Sequence, residues 1–229
     1  MKRILIGALL LLAVVSCSSP MSSTPQGPEM TPPVVEDAPQ PTGENSPVVT
    51  PTPEPTAERA EPLLDIVHMH PSEVDNTTLP ITAVEDLNRT GRPVEYDIDE
   101  YRLAVDGLVE NPLSLSYEDL LSRPQVTEEV LLICPGFFWD NAVWTGTPLS
   151  LILEEAGVSP QASYVHIKAG DGYARRIALE DAMADGVFLA YEVNGEPLPK
   201  EHGYPIRLVA RHQFGSKWVK WIERIEVME

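Results

Sequence analysis

Val130-Leu131-Leu132-Ile133-Cys134-Pro135-Gly136 is an unbroken apolar run closed by a turn dipeptide. A run this short suits a strand buried on both faces better than a helix. Working outward, Tyr101-Arg102-Leu103-Ala104-Val105 alternates with period two, and so does Trp218–Val227; both read as strands. Val187–Val193, then Asn194-Gly195, then Glu196-Pro197-Leu198 reads as a hairpin, because Asn-Gly accepts the positive φ angles of a tight turn. Helical signals are short. Ser116 with Asp119 makes a capping-box-like start for a helix through Leu121. Pro148–Ala156 is helical in pattern, with Gly157 as its stop. Strands outnumber helices and no βαβ unit recurs, so the expected class is α+β.

The 229 residues carry 35 acidic and 16 basic side chains, 23 prolines and two cysteines. A net charge of −19 argues against nucleic acid as a partner, since phosphate binding needs a basic face. Two cysteines cannot make a disulfide scaffold, and 43% hydrophobic residues argue against wholesale disorder. Residues 63–229 hold 28 acids and 13 bases, a size and composition that suit one domain. Within them, His202–Ile222 contains no acid and holds His202, Arg207, Arg211, His212, Lys217 and Lys220. This window is either an anion site or a basic strand face that pairs with acids elsewhere.

Residues 1–17 read as a targeting segment. Lys2 and Arg3 precede the apolar run Ile4–Val15, which is shorter than the about 20 residues of a spanning helix and suits a signal peptide. Val14-Val15-Ser16-Cys17 resembles the lipobox of bacterial lipoproteins, in which the cysteine is acylated and becomes the first mature residue. The other reading is an ordinary secretory signal that contains a cysteine. The lipobox implies lipidation at Cys17 and a cell-membrane lipoprotein on the extracytoplasmic face, extracellular or periplasmic. Residues 18–62 hold 12 prolines in 45 positions with few large apolar side chains, the composition of a disordered tether. Fully extended, it reaches roughly 140 Å.

If Cys17 is acylated, Cys134 has no disulfide partner in the chain. A lone thiol is a small buried hydrophobe, a nucleophile or a soft metal ligand. No Cys-x-x-Cys or His-Glu-x-x-His is present to support zinc.

Leu131–Gly136, Trp144-Thr145-Gly146-Thr147-Pro148-Leu149, Phe188–Pro199, Glu201-His202-Gly203-Tyr204-Pro205-Ile206-Arg207 and Gly215–Trp221 together resemble the cofactor core of the sulfite oxidase family. Tyr101–Pro112 is similar to the family's entry strand. The resemblance implies a single molybdopterin-binding domain with mixed β-sheets and short helices, carrying a molybdenum–molybdopterin cofactor. It implies that Cys134 ligates molybdenum, and that His202 and Arg207 hold the pterin and its phosphate. Lys217 and Lys220 match the basic positions at the far end of that cradle. Tyr173 falls where sulfite oxidases place a tyrosine near the metal, though it also suits a plain aromatic at a strand start. Asn88 and Arg89 fall where the family's N-terminal segment reaches the pterin.

The departures carry information too. Sulfite oxidases follow the ligand cysteine with arginines that bind a dianion, whereas Cys134 is followed by Pro135, Gly136, Phe137, Phe138 and Trp139. The expected substrate is therefore small and neutral, of the S-oxide or N-oxide type, unless Arg211 and His212 fold inward. The family's haem and dimerisation domains have no counterpart in this sequence, which implies no haem in this chain and an external electron-transfer partner. Lys2-Arg3 before so apolar a core resembles a general secretion signal more than the twin-arginine signal of folded, cofactor-loaded relatives. The competing reading is a cofactor-free binding or scaffold lipoprotein that retains the fold.

Overall fold

The computed structural model describes residues 65–229. The signal segment 1–17 with Cys17, and the tether 18–62, lie outside the described residues. Among the described residues, ten strands form two sheets, one mixed and one antiparallel: β1 (Leu103–Gly107), β2 (Leu113–Leu115), β3 (Val126–Cys134), β4 (Phe138–Pro148), β5 (Tyr164–Ala169), β6 (Ala174–Ala178), β7 (Val187–Val193), β8 (Glu196–Pro197), β9 (Arg207–Ala210) and β10 (Ile222–Met228). One sheet runs β2-β1-β10-β5-β6; the other runs β3-β4-β7-β8, with β9 also pairing β7. Only β1 and β10 pair in parallel. Among the described residues, three short α-helices, α1 (Tyr117–Leu121), α2 (Leu149–Ala156) and α3 (Leu179–Ala182), complete an α+β domain core.

The local signals explain most of these elements. Ser116 Oγ accepts from the Asp119 amide at 3.1 Å and Asp119 reaches back to the Ser116 amide at 2.9 Å, so both halves of the capping box start α1. Helix α2 buries Leu149, Ile152, Leu153 and Ala156, the one-sided stripe of an amphipathic helix, and Gly157 ends it at φ 68°. Asn194 and Gly195 both take positive φ, as the β7–β8 turn demands.

Two expected strands are shorter than the sequence pattern. The strand expected from Tyr101 begins at Leu103, because Tyr101 turns inward and donates its hydroxyl to the Ile222 carbonyl. The late strand begins at Ile222 rather than Trp218, because Trp221 takes φ 53° and breaks the extended run.

The element that places the site is the β3–β4 hairpin, paired in register from Val126↔Gly146 to Cys134↔Phe138. Directly paired residues share a face and alternate residues return to it. Leu132, Cys134, Phe138 and Asp140 therefore share one face. Leu131, Ile133 and Trp139 occupy the other, where they pack with Ile66, Val74, Leu79 and Phe214. Asn76 Nδ2 donates to the Glu129 carbonyl at 3.1 Å, and Thr82 N to the Asn141 carbonyl at 2.7 Å, which pins the first described segment onto this outer face. Among the described residues, no helix is long and apolar enough to cross a membrane.

Candidate active site

A cavity of about 320 Å³ opens on the Cys134 face of the hairpin. Leu132, Cys134, Pro135, Phe138 and Asp140 form one wall. Asn88, Thr90 and Gly91 form a second, Asp171 and Tyr173 a third. Arg207 enters from the first residue of β9, and Gly215, Ser216, Trp218, Lys220 and Trp221 close the remaining side.

Arg207 is only 5% exposed. Its guanidinium lies 4.7 Å from the Trp144 ring and 5.4 Å from that of Trp218, and its Nη1 donates to the His202 carbonyl at 3.2 Å. Its Nε is buried with no partner. Burial pulls Arg207 down to about 10, yet leaves it charged at neutral pH. Lys220 donates to the Thr90 carbonyl and, at 3.0 Å, to that of Glu201, with the Trp221 ring 4.5 Å away. Burial, then the Arg207 charge, brings Lys220 to about 8. His202, buried at the end of a one-turn helix (Lys200–His202), is held at about 4 by burial and then by Arg207, Lys220 and Arg89. Gly203, at φ 117°, lets this turn close: a Cβ there would lie 3.0 Å from Arg207 Cβ and 3.1 Å from Lys220 Cβ.

The remaining expected residues distribute unevenly. Cys134 is partly exposed at the strand end, and burial alone pushes its thiol up. Tyr173 lies in the turn before β6 and donates its hydroxyl to the Ser216 carbonyl at 2.8 Å, with Arg175 4.2 Å from its ring. Asn88 lines the cavity, whereas Arg89 is exposed beside it and reaches His202 only through its charge. Lys217 does not line the cavity; its ammonium donates to the Arg176 carbonyl at 2.7 Å. Arg211 points elsewhere and pairs with Glu128, and His212 is exposed. Of the three aromatics after Cys134, only Phe138 lines the cavity. Phe137 is 82% exposed and Trp139 faces the opposite side of the hairpin.

Sequence reasoning missed Asp140, Asp171, Thr90, Gly91 and the two tryptophans Trp218 and Trp221. A period-two reading continued past Gly136 would have found Asp140, which pairs with Leu132 on the Cys134 face.

Residues 90–229 match the family described as the oxidoreductase molybdopterin binding domain. The chain belongs to that family. It is similar to the uncharacterized oxidoreductase YuiH of Bacillus subtilis (strain 168), 34% identical across 68% of this chain and 77% of that protein. It is also similar to the sulfite oxidase of Arabidopsis thaliana, 29% identical across 68% of this chain and 49% of the plant protein. A solved relative, the sulfane dehydrogenase SoxCD of Paracoccus pantotrophus, superimposes with a TM-score of 0.61 at 32% identity, over 66% of this chain and 45% of that one. The chain thus spans about half or less of the last two. It is a molybdenum-dependent oxidoreductase of the sulfite oxidase type.

The cavity fits the family's cofactor. An orphaned, buried guanidinium Nε beside a second buried cation calls for an anionic acceptor, which a pterin phosphate supplies. Among the described residues no three His, Cys, Asp or Glu side chains cluster as metal ligands, so a metal at Cys134 needs further ligands of the kind that a pterin dithiolene offers.

The buried imidazole gives a pH test. Between about 4 and the ordinary 6.5, the unfolded chain binds a proton at His202 that the folded chain refuses. Stability therefore rises with pH across this window and is lost as pH falls from 6.5 through 4. In cofactor-free protein, His202→Gln should flatten that part of the profile by up to about 3 kcal/mol. Urea denaturation at both ends of the window measures it, and an unchanged slope would mean that the imidazole is already charged in the fold.

Proposed function

We propose that this chain is a membrane-anchored, extracytoplasmic oxidoreductase that moves an oxygen atom and two electrons on a small neutral substrate of the S-oxide or N-oxide type. The observation that carries the substrate reading is the lining around Cys134. Leu132, Pro135, Phe138 and Tyr173 are uncharged, Asp140 and Asp171 are acidic, and Arg211 is committed to Glu128. Aromatic and apolar surface favours neutral, sulfur-containing molecules.

On this reading Cys134 supplies the thiolate ligand to molybdenum. Arg207, Lys220 and His202 hold the pterin and its phosphate, and Asn88 and Arg89 approach from the N-terminal side, whereas Lys217, engaged by the Arg176 carbonyl, takes no part. Bound there, the cofactor supplies a metal centre that exchanges an oxygen atom together with two electrons. The chain itself orients the substrate and excludes water. Phe138 packs on its apolar part, and Tyr173, whose proton is engaged by the Ser216 carbonyl, presents its ring and a hydroxyl lone pair. Reduction of an oxide consumes two electrons and two protons and releases the reduced compound and water, so an external electron partner completes the cycle. The anchor reading rests on the lipobox at Cys17 alone. The orphaned Arg207 Nε speaks against a cofactor-free scaffold, which has no use for it.

Three measurements test these assignments. Metal-loaded protein should reduce neutral S-oxides or N-oxides at least tenfold better, in kcat/KM, than it oxidises sulfite, and Arg211→Ala should leave that preference intact. Efficient sulfite turnover lost in Arg211→Ala would overturn the substrate reading. Cys134→Ser should abolish turnover while the purified protein keeps its pterin, because the phosphate cradle is separate; an unaltered molybdenum spectrum would rule out ligation. Cys17→Ala should release the protein from membranes, and persistence there after a carbonate wash would remove the anchor.

A further inference from the structure

We propose that Asp140 is a positioning residue that pins the segment Asn88–Gly91 across the cavity and thereby secures the bound cofactor. The inference rests on the cavity being the pterin site. It concerns a side chain that hydrogen-bonds neither Cys134 nor the buried cations, although its charge acts on Arg207.

Asp140 is 4% exposed, and a buried carboxylate is costly unless its oxygens are hydrogen-bonded. Among the described residues its hydrogen bonds all come from Asn88. The Asn88 amide donates at 3.2 Å and the side-chain Nδ2 at 2.8 Å. Strand alternation explains why an acid stands here at all. Asp140 faces the cavity because it pairs with Leu132, two residues along the ladder from Cys134.

The other end of the segment is tied to the opposite wall. The Thr90 carbonyl accepts from the Lys220 ammonium. Gly91, at φ 75°, packs so close to Trp221 that a Cβ would lie 2.9 Å from its Cζ3. Between these ties the segment is exposed on its outer side and belongs to no helix or strand. Leu87 is buried in the core just before it, and across the cavity the segment is held by two attachments, one to β4 and one to the turn before β10. Asp140 is the β4 attachment. Releasing it frees Asn88 between the buried Leu87 and the Lys220–Trp221 tie, and the wall that it forms loosens toward solvent.

The test uses holoprotein purified with its pterin and two readouts that involve no substrate. Hydrogen exchange followed by mass spectrometry reports on residues 88–91, and fluorescence of the oxidised pterin reports how much cofactor survives prolonged dialysis. Hydrogen bonds to a charged group stabilise enough that Asp140→Ala should speed exchange in the segment about tenfold. Pterin loss should accelerate by a similar factor, while β7 and β10 stay protected. Asn88→Asp, which sets two carboxylates face to face, should do the same or more. The double variant Asp140→Asn/Asn88→Asp rebuilds the side-chain pair with donor and acceptor exchanged and should restore both readouts.

Failure of the swap to rescue, faster exchange spread equally through the core, or equal pterin retention in every variant would each overturn the role of Asp140. Wild-type protein that never carries pterin would sink the reading of the cavity along with it. The identity of the substrate affects none of these outcomes.

Discussion

Arg207 is a guanidinium enclosed by protein, and its ordinary affinity for a proton is so high that burial leaves it charged. Much of the site follows from accommodating that charge. Two indole faces, Trp144 and Trp218, lie within 5.4 Å of it, and the His202 carbonyl accepts a hydrogen bond from its Nη1. Gly203 has no side chain because the turn must pass against Arg207 and Lys220. Burial first, and the Arg207 charge second, pushes both His202 and Lys220 toward their neutral forms. What remains unsatisfied is Nε, for which an anion from outside would supply the missing acceptor.

The two sheets divide the labour of building this enclosure. The sheet that contains β3, β4 and β9 contributes Cys134, Asp140 and Arg207 from regular ladder positions. The other sheet contributes the β5–β6 turn with Asp171 and Tyr173, and the chain just before β10 carries Lys220 and Trp221. Cys134 sits where the long ladder ends and the chain turns through Pro135-Gly136. That position combines a fixed backbone with an accessible sulfur, which is what a single protein ligand to a metal requires.

The legible parts of the sequence were those decided within a few residues. The capping box at Ser116, the Gly157 stop and the Asn194-Gly195 turn each carry their own mechanism, and each formed as expected. The acid-free window around Arg207 was visible as composition, and the fold and cofactor class were visible as resemblance. Strand β4 was not anticipated, because Trp139, Asp140 and Asn141 interrupt its apolar pattern: each is held by a tertiary partner rather than by local propensity. Nor does composition say which way a side chain turns. Arg211, Lys217 and Phe137 belong to promising stretches, yet Glu128, the Arg176 carbonyl and solvent claim them.

A net negative charge acts at range, but surface charges are screened beyond about 8 Å at physiological salt. Inside the cavity the local inventory decides instead: two cations, Arg207 and Lys220, against two carboxylates, Asp140 and Asp171. With the cations taken by a cofactor phosphate, as proposed above, the free lining is aromatic, apolar and acidic. A second anion then meets no uncommitted cation among the lining residues, and pays the desolvation cost without a partner. On the proposed reading, selection against a dianionic substrate would follow from what the cofactor occupies, rather than from the overall charge of the chain.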